Sequence, residues 1–214
     1  MPDPGGIDNK SLVFEWEDMK KILIVAKAHS FLHFTILYTL AMTGRRLGEV
    51  IGRETRIGKR GVIPAVPGLK VEDINFTDQQ IRWCIEKKFK DRAHTERVYR
   101  IKEAQPELLS VLKEWINVNR LQPGDKLFHT YQRTMNNAVH KYAVASGVYN
   151  KMRVCHAFRH GFGLQFAKTM EKPSDLIILQ EILDHSNTAQ TFGYVKMASG
   201  ETKKAINKIT LIDG

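Results

Sequence analysis

Cysteine is scarce: Cys84 and Cys155 are the only two among 214 residues, and they stand in unlike contexts. Two such thiols make no disulfide framework, which points to reduced core cysteines and an intracellular protein. Long apolar runs are missing as well. The longest, FLHFTILYTLAM at residues 31–42, is broken by His33 and falls short of the roughly 20 residues a bilayer crossing requires, so no membrane span is expected. The opening MPDPGGIDNK lacks a basic region followed by an apolar run, so it does not read as a secretory signal, and its Pro and Gly indicate a flexible tail over residues 1–12. Internal repeats and low-complexity segments are absent too.

Negative charge is the scarcer sign. Thirty-three Lys and Arg stand against twenty-three Asp and Glu, a net +10. The excess sits in two blocks: Gly44–Lys70 holds seven basic residues against Glu49 and Glu54, and Lys87–Lys102 holds seven against Asp91 and Glu96. A merely solvated surface intersperses its signs, whereas concentrated basic blocks are the footprint of a polyanion partner, nucleic acid above all.

With 43% hydrophobic residues the chain can fill a core, and its text reads as mainly α-helical. Helix-like apolar spacing predicts helices over 15–29, 30–43 (Ser30 as cap, Gly44 as stop), 46–53, 106–119 with Pro106 at its start, 131–146, 156–170, 174–184, 188–197 and 200–209. Between Leu69 and Ile101 the segments LKVEDINF, QIRWCIE and RVYRI are short and rich in β-branched and aromatic residues, which predicts a three-stranded antiparallel sheet with a long basic hairpin tip. The fold class is therefore mixed α+β, one domain with helices dominating and one small sheet. RETRIGKRGVIPAVPG, residues 53–68, reads as an inserted loop.

CHAFRHGFG, residues 155–163, places His156, Arg159 and His160 on one helix face, because residues three and four apart are neighbours. His at i and i+4 is zinc-ligand spacing, but the residue after the first His is Ala157 rather than Glu, and Arg159 would set a fixed positive charge beside the metal. No metal and no cofactor are expected. An anion fits better: two imidazoles and a guanidinium fork suit phosphate oxygens. Phe158, Phe162, Leu164 and Phe166 are expected in the core on the far side of that helix. Two further groupings flank the box, TGRRLGEV at residues 43–50 and EILDHSNTAQTFGYVKM at 181–197, where Tyr194 lies nine residues beyond His185.

Taken in order, these boxes make the chain resemble the catalytic domain of the tyrosine recombinases, the phage-integrase family of site-specific DNA recombinases. Thr43, Gly44, Arg46 and Glu49 match its Thr-Gly-x-Arg-x-x-Glu box; His156, Arg159 and His160 match its His-x-x-Arg-His box; Leu183 and His185 match its Leu-Gly-His box, with Tyr194 at the nucleophile position. The resemblance implies an integrase-like catalytic domain over residues 13–210, without the N-terminal core-binding domain that family members usually carry. It also implies double-stranded DNA as the partner, a tetramer on DNA and a monomer in isolation, and a last helix in SGETKKAINKITLIDG that packs on a neighbouring protomer.

The implied chemistry is cleavage and rejoining of DNA through a covalent 3′-phosphotyrosine. Arg46 and Arg159 would clamp the scissile phosphate, His156 and His185 would donate to its oxygens, and His156 or a neighbour would take the phenol proton. Phenolate formation at neutral pH costs roughly 4 kcal/mol unless cations assist. A hairpin lysine, Lys87 or Lys88, would protonate the departing 5′ oxygen, with Lys90 as a third candidate, and Glu49 would orient a box residue. Two departures stand out: Asp184 occupies the place where the family has Gly, and Gly193 loosens the helix beside the nucleophile. Two other classes remain open at this point. A type IB topoisomerase shares the Arg, Lys and Tyr logic, and a non-catalytic DNA-binding module would not need Tyr194 at all.

Overall fold

The computed structural model describes residues 13–58, 61–63, 65–85, 97–148, 154–185 and 187–199. Eight helices and five short strands occur among them. Helix α1 (Trp16–His29) starts where the Asp18 carboxylate takes the Glu15 backbone N–H at 3.3 Å, and it carries Lys27 and His29 in its last turn, both suited to the helix dipole. Helix α2 (Phe31–Thr43) begins at Ser30, whose hydroxyl accepts the His33 N–H, and stops at Gly44, which adopts the left-handed conformation with φ +62°. A side chain at Gly44 would also collide with Phe162 and Leu183, so both backbone angle and packing require glycine there.

After the short α3 (Leu47–Ile51) the chain departs from the sequence expectation. The stretch read as an inserted loop contains an antiparallel pair, β1 (Arg56–Gly58) and β2 (Gly61–Ile63), extended by a bridge between Arg53 and Val66. Among the described residues this pair thus stands beside the expected three-stranded sheet as a second one. Three-residue strands are too short for an alternating pattern to register, and only the pairing register reveals them. In the second sheet, β3 (Ile74–Asn75), β4 (Gln80–Ile85) and β5 (Val98–Glu103) run antiparallel in that order. LKVEDINF supplies just two strand residues, because Val71–Asp73 winds into a 3₁₀ turn instead. Strand β4 buries Ile81, Trp83, Cys84 and Ile85, while most of β5 is open to solvent. The expected hairpin lysines Lys87, Lys88 and Lys90 lie outside the described residues.

Helices α4 (Pro106–Asn119), α5 (Gln132–Ala145), α6 (His156–Thr169), α7 (Asp175–Leu183) and α8 (Thr188–Ser199) follow within a residue or two of their expected bounds. The last expected helix, 200–209, and the tail 1–12 lie outside the described residues. Gly193 sits inside α8 as an ordinary helical residue.

The main core gathers apolar faces of α1, α2, α4, α5 and β4 around Phe14, Leu37, Trp83, Phe128 and Phe158, with Phe14 and Phe158 edge to face at 5.4 Å. A second, smaller cluster joins the C-terminal half of α6 to α7 and α8 through Ala167, Leu179, Leu183 and Tyr194. Helix α6 belongs to both. Phe158 and Leu164 are buried as expected, while Phe162 and Phe166 are half-buried and pack on the second cluster.

Close approach of α6 to the N-terminal segment requires Gly161, since a Cβ there would stand 2.4 Å from the Phe14 carbonyl oxygen and 2.9 Å from the Met19 side chain. Gly193, by contrast, has nothing within 4 Å of the equivalent position. Gly161→Ala is expected to destabilise by about 1–3 kcal/mol through overpacking against backbone. Gly193→Ala should stabilise by up to ~1 kcal/mol through helix propensity. Urea unfolding of the two variants checks both signs.

Candidate active site

The site lies where α3, α6, α7 and α8 come together. Arg46 immediately precedes α3, and Glu49 one turn later holds it twice, accepting its backbone N–H at 3.0 Å and its guanidinium at 3.1 Å. The Glu49 side chain is fully buried while that of Arg46 keeps 29% of its surface in solvent, so the carboxylate fixes a guanidinium that still faces outward. Its neighbour Arg45, 3.9 Å from the same carboxylate, is turned inward. It is 2% exposed, stacks over Trp83, and donates to the Asp184 carboxylate and the Ile182 carbonyl. Lys102 reaches the same carboxylate at 3.8 Å and donates to the Glu181 carbonyl. The acid that departs from the family pattern is therefore paired with cations, at the left-handed residue (φ +50°) that ends α7.

Arg159 is 2% exposed and bridges distant segments, one terminal nitrogen donating to the Gly44 carbonyl at 2.7 Å and the other to the Leu183 carbonyl. Burial, then the nearby Arg46, pull its pKa down to about 10, which leaves it cationic at neutral pH. In this structure Arg159 thus pins backbone, whereas Arg46 presents its charge to solvent.

Tyr194 is 3% exposed, not a surface tyrosine. Its ring lies over Gly163, where a Cβ would stand 2.8 Å from it, and stacks on His185 with centroids 6.0 Å apart and planes 14° apart. The phenol oxygen is 2.9 Å from Nδ1 of His160, and the His160 ring meets His156 edge on at 4.5 Å. His185 is held in turn by Thr191, 3.0 Å from its Nδ1.

The charges shape the titration of these groups. His156 keeps one side open to solvent, yet the protein around the other, followed by His160, Arg159 and Arg46, holds its pKa at about 4. His185 is likewise at about 4, through burial, then Arg159 and Arg46, against a small opposing pull from Asp184. Burial and Arg159 lower His160. Tyr194 is raised, because burial outweighs the help of Arg159 and Arg46. All three imidazoles are therefore neutral at pH 7 and the phenol is protonated.

Of the residues singled out in the sequence, the fold brings Arg46, His156, Arg159, His185 and Tyr194 together, while Lys87 and Lys88 lie outside the described residues. His160 is read in the sequence as one of two imidazoles facing a phosphate, and the structure shows that it is the one that meets the Tyr194 hydroxyl. Two contributors went unassigned. Arg45 carries no role in the sequence reading, and the unexplained acid at Asp184 is the signal that points to it. Thr191 carried no signal short of being one turn before Tyr194. Among the described residues, no group of three or more His, Cys, Asp or Glu is placed to hold a metal ion, and no helix is long and apolar enough to cross a membrane.

Comparison with known proteins places the chain in a family. The model of the phage integrase family matches residues 65–201. A tyrosine recombinase of Pseudothermotoga lettingae is 27% identical over 145 residues, covering 66% of this chain and 46% of that one, so the chain spans about half the length of its relative. The XerA recombinase structure superposes with a TM-score of 0.66 at 16% identity over 99% of this chain and 68% of that one. XerH site-specific recombinase, solved in a post-cleavage complex with palindromic difH substrate, gives 0.65 at 19% over 91% and 52%. The Tn1549 transposon integrase, solved with transposon right end DNA, gives 0.63 at 17% over 97% and 68%. These structures share the fold: a mainly helical domain with a small antiparallel sheet. With three boxes gathered round one buried tyrosine and a family model matching well over half its length, the chain belongs to the phage integrase family, as a tyrosine recombinase catalytic domain.

Proposed function

We propose that this chain cleaves and rejoins double-stranded DNA, with Tyr194 as the nucleophile. The observation that carries the reading is the placement of the Tyr194 hydroxyl on His160, inside a pocket whose charge comes from Arg46 and Arg159. Phosphoryl transfer needs little from a protein beyond positioning and neutralisation of oxygen charge, and this pocket supplies both. Neutral His160 accepts the phenol proton, the phenolate oxygen forms the new bond to phosphorus, and the bond to the 5′ oxygen breaks. The 5′ oxygen leaves with a proton from a lysine of the basic hairpin, Lys87 or Lys88. The product is a 3′-phosphotyrosine, and the reverse sequence rejoins the strand.

Arg46 is the guanidinium that meets a phosphate oxygen directly, with His156 and His185 donating beside it. Arg159 adds its field and holds the two backbone segments that frame the pocket. The net charge of +10 supports a polyanionic partner, as do the DNA complexes of XerH and Tn1549 integrase. We assign residues 13–210 to one catalytic unit acting on intracellular DNA as a tetramer, monomeric when free. Tyr194 lies within its own chain's pocket, which favours attack by the protomer that binds the phosphate.

Incubation with nicked duplexes, from which the short cleaved fragment diffuses away, should trap a covalent protein–DNA adduct. Tyr194→Phe should abolish the adduct while DNA binding persists; an adduct that survives in Tyr194→Phe overturns the assignment. Arg46→Ala should slow adduct formation by about 100-fold or more.

The histidines make a separate prediction. His156 and His185 titrate near 4 in the folded chain against 6.5 in the unfolded one, so the unfolded chain binds more protons between those values. Stability present at neutral pH should therefore be lost progressively as pH falls from 6.5 to about 4. Inorganic phosphate should offset the loss. Urea midpoints measured across that range, with and without phosphate, check the sign.

A further inference from the structure

The threonines of α2 share one hydrogen-bonding pattern. Thr35, Thr39 and Thr43 each turn the hydroxyl hydrogen to the carbonyl four residues back, at 2.6–2.8 Å. Thr191 does not. It is fully buried in α8, and among the described residues its hydroxyl has one partner, Nδ1 of His185 at 3.0 Å. With no other acceptor among the described residues, the hydroxyl satisfies its hydrogen only by donating it to Nδ1, the arrangement in which Nδ1 accepts.

We propose that Thr191 is a positioning residue for the reaction, whose hydroxyl fixes neutral His185 as the Nε2–H tautomer and aims that N–H at the scissile phosphate. This inference rests on the phosphoryl-transfer reading above. The tautomer matters because a neutral imidazole offers one donor and one lone pair. With the proton on Nε2, His185 donates to a phosphate oxygen. With the proton on Nδ1, it would present a lone pair to that anionic oxygen and repel it. Backbone contacts alone leave this undecided: the His185 N–H goes to the Gln180 carbonyl, and the Gln180 amide goes to the His185 carbonyl, which sets the chain but not the ring nitrogens.

Thr191 and Tyr194 are three residues apart and share a face of α8. When α8 docks, Tyr194 reaches His160 and stacks on His185 in the same movement that brings Thr191 to the other edge of the His185 ring. Delivery of the nucleophile and preparation of the phosphate donor are thereby one event. An undocked α8 leaves His185 free to adopt the unproductive tautomer.

The test uses the full chain with its histidines labelled with nitrogen-15. In the wild type, the ring shifts of His185 near pH 7 should show a protonated Nε2 and a bare Nδ1. Thr191→Val, nearly the same size, should give a tautomer mixture, and Thr191→Ser should keep the wild-type pattern. In the nicked-duplex assay at saturating DNA, Thr191→Val should form adduct about tenfold more slowly with unchanged DNA affinity, and Thr191→Ser should stay near wild type. A wild-type His185 protonated on Nδ1, a Val variant with the wild-type tautomer, or equal adduct rates in Val and wild type would each overturn the proposal. Failure of the wild type to form any adduct would refute the phosphoryl-transfer reading instead, and the ring shifts would still decide what Thr191 does to His185.

Discussion

The arrangement depends on the buried guanidinium of Arg159. It donates to the carbonyl of Gly44, at the end of α2, and to that of Leu183, at the end of α7. Both carbonyls belong to helix ends whose last backbone acceptors lack helical partners, so the arginine satisfies groups that would otherwise be costly to bury. A charge taken out of water is expensive unless hydrogen-bonded, and here each terminal nitrogen has an acceptor. The result is a fixed relation between the loop that carries Arg46 and the loop that carries His185, with α6 between them. Arg45 repeats the device a few ångströms away, joining the same two segments through Asp184 and the Ile182 carbonyl.

Around these pins the site is assembled with an excess of positive charge. Arg46 and Arg159 face each other's fields with Glu49 as the principal carboxylate at close range, and the three imidazoles answer by staying neutral. A pocket of this kind is incomplete without an anion. On the proposed reading, a phosphodiester would relieve the mutual repulsion of the arginines and raise the proton affinity of the imidazoles, so binding and activation would draw on the same electrostatics.

Tyr194 enters from the smaller of the two hydrophobic clusters. That cluster has four buried members, Ala167, Leu179, Leu183 and Tyr194, the last being the proposed nucleophile. Glycines make its seat: Gly163 lets the ring lie against α6, and Gly44 admits Phe162 and Leu183 beneath it. Through Thr191 and Tyr194, both buried, α8 packs closely on α6 and α7, so the ring is held where His160 and His185 meet it.

Much of this was legible from sequence, for identifiable reasons. Helices α1, α2 and α4 to α8 were found because their apolar residues recur with helical period and because Ser30, Gly44 and Pro106 act locally, through capping and backbone restriction that need no tertiary context. The boxes stand out in the sequence because they set histidine and arginine three and four residues apart, a spacing that a helix turns to one face. Pairing of β1 with β2 was not legible, since three residues carry too little pattern. Nor were the partners of Arg45, Arg159 and Thr191, which lie up to 139 residues away in the chain. The sequence by itself determined the helices, the basic character and the identity of the reactive groups, because propensity, charge and residue chemistry are local properties. Only the tertiary structure decided which arginine is buried and which faces outward, which histidine holds the tyrosine, and what neutralises Asp184. Those outcomes follow from desolvation and hydrogen-bond geometry, which exist only once distant segments share a volume from which water has been expelled.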